Sequence, residues 1–254
     1  MKRSLKKQLI HLATLPFKSV GIVHYYWGHG KLGGDPIFAA LLDEQIFPSD
    51  ARIIDLGCGR GLLAAWFLAA EKLFLDGGWP ADAAPPPTGL RFRGLELMGR
   101  EAEAGNRALQ PIYPGRASLA QGDLRQADLS QLDVVAILDA LHYVNYAEQD
   151  VVLDQIRAAL GPGGLFLTRV GDAGAGLRFF LSQIVDRSIS FVQGHRLPRM
   201  WCRPIQEWVR ILEARGFEVR TQPMNGANPF ANIMLVAKLP GHPGEHTGNP
   251  ARIG

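Results

Sequence analysis

Two cysteines in 254 residues, Cys58 and Cys202, are too few for a disulfide framework. Neither has a Cys or His neighbour at metal-ligand spacing, which excludes a zinc module built on them. A reducing, cytoplasmic setting suits both thiols. Long apolar runs are also missing. None reaches the roughly 18–20 residues that cross a bilayer, so no stable membrane insertion is expected. The first residues are basic (Lys2, Arg3, Lys6, Lys7). Their apolar stretch is short, broken by His11 and Pro16, and lacks a small-residue cleavage site, which argues against a secretory signal. Charge of one sign is scarce: the net value is +3, too little to point to nucleic acid by itself. No internal repeat is visible. What remains is an ordinary globular composition, 47% hydrophobic and 20% charged, in a chain long enough for one sizeable α/β core.

Periodicity sketches the order of elements. Leu5, Leu9 and Leu12 share a helical face that Pro16 ends. Residues 24–34, HYYWGHGKLGG, mix aromatics, histidines and glycines and read as a shaped loop. A helix is expected from Pro36 to about Phe47. Strands are expected at 51–56, 90–97, 117–120, 134–138, 165–170, 217–223 and 232–239. Helices fill most of the gaps between them. Asn145 with Glu148 forms a capping-box pattern at the head of one of these helices, and the run Gly161-Pro162-Gly163-Gly164 stops it. The alternation implies a mostly parallel sheet covered on both faces. Residues 76–89 form a proline- and glycine-rich loop, 174–204 an insertion with an apolar helical stretch, and 241–254 a disordered tail.

The chemistry concentrates at strand ends. IIDLGCGRGLL places Asp55 at the end of a strand, then Gly57, Cys58, Gly59 and Gly61, then a helix. Glycines at this spacing let the backbone turn tightly and approach a ligand, and the helix start points amides at it. A dinucleotide fold prefers G-x-G-x-x-G; Leu62 stands where its last glycine would be. Glu96 ends the next strand, followed by Leu97, and a carboxylate there can accept hydrogen bonds from both ribose hydroxyls. It lies later than the roughly 20 residues usual for such folds, and the 76–89 loop accounts for the excess. Gly122-Asp123-Leu124 follows the third strand, where Asp after Gly is also a common turn former. Asp139-Ala140-Leu141-His142 follows the fourth strand.

The glycine segment resembles motif I of class I S-adenosylmethionine-dependent methyltransferases, and the likeness extends over about residues 50–240. It implies a Rossmann-like methyltransferase fold of seven strands with an antiparallel last strand, and S-adenosyl-L-methionine as cofactor. Residues 49–240 would form the cofactor domain, with residues 1–48 a helical substrate lid. The resemblance assigns the methionine part of the cofactor to Asp55, Gly57, Gly59 and Gly61 and the ribose to Glu96, with Cys58 and Leu97 also among the cofactor-binding residues. It assigns the adenine to Asp123 and Leu124, and leaves Asp139 to line the cofactor or cap its loop. His142 is the candidate general base, its ordinary pKa near 6.5 suiting proton removal from an oxygen or nitrogen; shaping the pocket is the other reading. Tyr25, Tyr26, His29, His195 and Trp201 are candidate substrate-facing residues, though aromatics also simply pack cores.

The Asn/Asp-Pro-Pro-aromatic motif of many nucleobase and glutamine methyltransferases is absent. This favours a small-molecule or carrier-tethered acceptor over nucleic acid. GKLGGDPIF is similar to segments of bacterial methyltransferases of aryl-polyene pigment pathways, which implies an aromatic acceptor and an acyl carrier protein as partner. The basic N-terminal helix could meet such an acidic carrier, or be a solvated face. A cofactor-binding scaffold without turnover and an RNA methyltransferase are the alternatives. No metal is expected.

Overall fold

The computed structural model describes residues 1–171, 200–224 and 232–241. Its elements in chain order are α1 (Arg3–Thr14), α2 (Ile22–Gly34), α3 (Pro36–Asp43), β1 (Arg52–Leu56), α4 (Leu62–Leu75), β2 (Arg91–Glu96), α5 (Gly99–Leu109) and β3 (Ala117–Gln121). Then come β4 (Val134–Leu138), α6 (Tyr146–Ala159), β5 (Leu165–Gly171), α7 (Ile205–Glu213), β6 (Glu218–Pro223) and β7 (Asn232–Lys238). The strands form one sheet in the order β3-β2-β1-β4-β5-β7-β6. Strands β1 to β5 run parallel, and β7 is antiparallel to both its neighbours. The expected sheet, with its antiparallel last strand, is therefore present.

The burial pattern of each strand explains its place. The run Val134-Val135-Ala136-Ile137 is buried throughout, as a central parallel strand covered on both faces must be. One face is covered by α4, buried along nearly its whole length, and by α1 through Leu5, Leu9 and Ala13. The Trp66 indole donates to the Phe38 carbonyl at 2.8 Å, which satisfies its one polar atom. The other face is covered by α6 and α7 through Val152, Ile156, Trp208 and Leu212. The expected cap on α6 is present: the Asn145 side chain accepts from the Glu148 amide at 2.9 Å, and its own amide donates to the Glu148 carboxylate at 2.8 Å.

One expectation is overturned. Residues 24–34 form helix α2, not a loop. Tyr25, Gly28 and Leu32 fall on one face and are buried. Gly28 packs closely there: a Cβ would sit 3.2 Å from the Thr14 methyl and 3.3 Å from a Leu62 methyl. Close packing against α1 and α4 thus overrides the poor helix propensity of the glycines. The helix after Pro36 also ends earlier than expected, at Asp43. The apolar stretch expected within 174–204 and the expected tail fall almost wholly outside the described residues.

Candidate functional site

The candidate site lies at the carboxyl ends of β1, β2 and β4, where open α/β sheets place ligands. Motif I is built by pairing. The amides of Gly57 and Cys58 both donate to the Leu95 carbonyl of β2, at 2.8 and 3.2 Å. Gly57, Gly59 and Gly61 all adopt left-handed backbone, at φ 83°, 54° and 77°, a region that other residues enter at a cost. At Gly57 the demand is double: a Cβ would lie 2.5 Å from Ala140 Cβ, at the end of β4. Motif I therefore abuts the turn that carries His142.

Two acidic side chains sit beneath this turn. Asp55 and Glu96 are both buried. Glu96 accepts from the Gly59 amide at 2.9 Å and the Met98 amide at 3.0 Å, so it fixes the glycine loop to β2. Burial, reinforced by the Glu96 charge, pushes the Asp55 carboxyl up to about 7. Neither carboxylate has a cationic partner among the described residues. Around Gly59 nothing lies within 4 Å of where a Cβ would point. Two buried carboxylates beside an open, glycine-lined turn suit a ligand that is both cationic and rich in hydroxyl donors. Cys58 is buried. Its thiol packs with Ala102 and Leu119, and a Cβ on Gly94 would meet the sulfur at 2.6 Å. Burial raises that thiol far above its ordinary range, with the Asp55 and Glu96 charges adding to the effect.

The remaining candidates spread along the same edge. The Gly122 amide donates to the Glu96 carbonyl at 2.9 Å, which brings the Gly122-Asp123 turn alongside β2. Asp123 caps the short turn Leu124–Gln126 and is clamped by Arg125, whose guanidinium also reaches Glu148 at 2.7 Å. Leu124 packs against the core, while Leu97 is largely exposed. Asp139 has a left-handed backbone, φ 58°, and is held by Arg169 at 2.7 Å. Arg169, buried near the end of β5, also grips both oxygens of Asp35, at 2.5 and 2.8 Å. Lys31 lies 3.0 Å from Asp35 and 3.8 Å from Asp139. Two cations thus balance two carboxylates and clasp the α2–α3 corner to the ends of β4 and β5. Burial alone would raise the Asp35 carboxyl; Arg169, Lys31 and the Ile37 amide hold it at about 2 instead. Arg169→Ala is expected to cost about 3–5 kcal/mol of stability, because it leaves two carboxylates, one of them buried, to the single cation Lys31; denaturant unfolding checks this.

The structure brings His142 and Trp201 together. They are far apart in sequence, yet the Trp201 amide donates to the His142 carbonyl at 2.8 Å. Burial lowers the His142 pKa below 6.5, with the Asp139 charge opposing; the ring is neutral at pH 7. The substrate candidates on α2 divide. Tyr25 is buried, its hydroxyl 3.4 Å from His11 Nδ1. Tyr26 is exposed, and His29 Nδ1 lies 3.5 Å from the Thr14 hydroxyl. His195 lies outside the described residues.

Sequence reasoning missed four residues here. Arg60, inside motif I, stacks on Trp27 with 4.5 Å from its guanidinium to the ring centroid and pairs with Glu101, which pins α2 to the glycine loop. Arg169 was signalled by a lone charge in the apolar strand LFLTRVG. Gln149 was signalled by an amide on the apolar stripe of α6. Lys31 had no signal, since α2 read as a loop.

The strand order, the single antiparallel strand and the glycine turn after β1 define the Rossmann-like methyltransferase fold. The chain belongs to the methyltransferase-domain family, whose model matches residues 32–222, and it is a methyltransferase. No curated protein matches it in sequence. Solved structures similar to it include magnesium protoporphyrin IX methyltransferase from Synechocystis PCC 6803 with bound S-adenosylhomocysteine (16% identity, TM-score 0.58, 86% of this chain and 88% of that one). Human N-acetylserotonin methyltransferase in complex with S-adenosylmethionine is also similar (15%, 0.56, 90% and 56%). So is an O-methyltransferase of neocarzinostatin biosynthesis in complex with S-adenosylhomocysteine and 1,4-dihydroxy-2-naphthoic acid (21%, 0.55, 90% and 60%).

Proposed function

We propose that this enzyme transfers a methyl group from S-adenosyl-L-methionine to a small-molecule acceptor, with an aromatic acceptor as the specific case. The observation that carries the cofactor assignment is the pair of buried carboxylates, Asp55 and Glu96, without a cationic partner among the described residues, under the open turn at Gly59. When bound, the cofactor supplies an electrophilic methyl group on a sulfonium. The chain supplies the rest. Asp55 offers a carboxylate to the positively charged methionine portion, Glu96 faces the ribose, and the Asp123–Leu124 turn faces the adenine. Transfer needs alignment and exclusion of water more than covalent help. His142 takes the proton of a phenol, alcohol or amine acceptor through its neutral ring.

The acceptor class draws support from the similar structures: a protoporphyrin methyltransferase, an N-acetylserotonin methyltransferase and an O-methyltransferase in complex with a naphthoic acid. Partly exposed aromatics near the His142 turn, Tyr143, Tyr146 and Trp201, suit a planar acceptor. Residues 49–240 act as the cofactor domain and residues 1–48 as the acceptor-side cover. A carrier-tethered acceptor, as in aryl-polyene pathways, belongs to this reading: Lys2 is engaged by Asp82 and Lys6 by the Gly33 carbonyl, while Arg3 and Lys7 stay exposed toward an acidic carrier. A cytoplasmic location suits the two cysteines, Cys58 and Cys202.

Calorimetry with S-adenosylmethionine and its demethylated product tests the cofactor assignment, and failure of both to bind would end it. Transfer of labelled methyl to an extract of small molecules, with and without loaded acyl carrier protein, tests the acceptor. Binding without any transfer would favour a scaffold, and label found only in RNA would favour the nucleic-acid reading.

A further inference from the structure

We propose that Gln149 is the positioning residue for His142, locking the turn that carries His142 and the segment that carries Trp201 into one rigid unit. The inference rests on the proposed function in giving His142 its catalytic role. Gln149 is fully buried on α6. Its Nε2 lies 3.2 Å from the Leu141 carbonyl, 2.9 Å from the Val144 carbonyl and 2.8 Å from the Trp201 carbonyl. An amide nitrogen carries two hydrogens, so three acceptors share them. The Oε1 accepts from Arg203 Nε at 3.0 Å. The amide has one sensible orientation, because reversing it would set an oxygen against three carbonyls and an NH2 against a guanidinium.

Leu141 and Val144 bracket His142, and the turn Leu141–Tyr143 has no side-chain cap of its own. Gln149 therefore holds the turn from beneath at both ends. The same nitrogen reaches Trp201, whose amide returns a bond to the His142 carbonyl. Arg203 closes the unit from below. It is buried and donates to the Tyr146 carbonyl at 2.9 Å, to Asp150 at 3.1 Å and to Glu207 at 2.8 Å. On the stripe formed with Val152, Leu153 and Ile156 an apolar residue would bury at less cost. A fully bonded amide gives direction instead, and a base must be held to a fraction of an ångström.

The test uses the full chain saturated with S-adenosylhomocysteine, as wild type, Gln149→Met and Gln149→Glu. Methionine keeps the volume and removes every polar bond. Glutamate keeps the acceptor for Arg203 and loses the donors. In both variants the Trp201 amide is expected to exchange its hydrogen at least tenfold faster, followed by NMR. The His142 ring in Gln149→Met is expected to titrate closer to 6.5, with S-adenosylhomocysteine affinity changed less than twofold. Folded variants with unchanged Trp201 exchange and His142 titration would overturn the proposal. If neither variant folds, wild type decides: slow Trp201 exchange supports the tie, and exchange at open-loop rates overturns it. With an acceptor from the extract assay, Gln149→Met should lower kcat about tenfold and cost nothing more in a His142→Ala background; additive losses would contradict it. The NMR readouts need no turnover, so a His142→Ala enzyme at full activity would remove the base assignment and leave the tie standing.

Discussion

Asp55→Ala is expected to weaken S-adenosylmethionine binding about a hundredfold, read by calorimetry at about pH 8. The substitution removes a buried charge partner from the cationic end of the ligand, a loss of about 2–5 kcal/mol, and a hundredfold corresponds to about 2.7 kcal/mol. The pH dependence is the sharper signature. Burial and the Glu96 charge push the Asp55 carboxyl to about 7 in the ligand-free protein, while a cationic ligand favours its ionised form. Below about pH 7 the carboxyl holds a proton that must leave on binding. Affinity should therefore be flat above pH 7 and fall toward tenfold per pH unit below it, with proton release visible as a buffer-dependent heat. Asp55→Asn should abolish the slope. Stability moves the other way. The folded pKa lies above the unfolded value, so ionising Asp55 costs stability increasingly as pH rises from about 4 to about 7. Asp55→Asn should raise the melting temperature of the ligand-free protein more at pH 8 than at pH 4. An affinity that does not change with pH, together with equal melting shifts at both pH values, would remove Asp55 from the cradle.

His142→Ala is expected to lower kcat by about a hundredfold to ten-thousandfold for an acceptor that must lose a proton, the range a positioned base supplies. Cofactor affinity should change less than twofold, since the ring belongs to the turn after β4 and not to the carboxylate pair. Because burial holds its pKa below 6.5, the acid limb of the kcat profile should fall below that value, and it should vanish in His142→Ala. An acceptor already ionised at neutral pH should be spared. Equal losses in kcat and cofactor affinity would instead mark His142 as a structural residue of the pocket.

The proposed cofactor side of the site could be read because its signals are local. Asp55, the glycines and the helix behind them lie within one short strand-turn-helix unit, and each glycine meets a backbone demand that its own neighbours set. Glu96 was legible as the acidic end of the next strand once the 76–89 loop was set aside. The mostly parallel seven-stranded sheet and its antiparallel last strand followed from a resemblance the structure bears out. The acceptor side was not legible in the same way. Helix α2 hid behind glycines, one of which, Gly28, packs closely against Thr14 and Leu62 on other elements. Asp139 could be found at its strand end, but its partners Arg169, Asp35 and Lys31 come from β5 and the α2–α3 corner.

The sequence alone determined the class of fold, the strand-turn-helix unit of motif I and the acidic residues at its strand ends that are proposed to hold the cofactor, since these follow from periodicity and backbone conformation over short spans. Only the tertiary structure decided that Asp55 and Glu96 share one buried site, that motif I touches the His142 turn through Gly57 and Ala140, and that Gln149 binds that turn to Trp201. Those are facts of distance across the chain. A pKa, a close approach and a buried hydrogen bond depend on which residues meet in space, and no local pattern encodes that meeting.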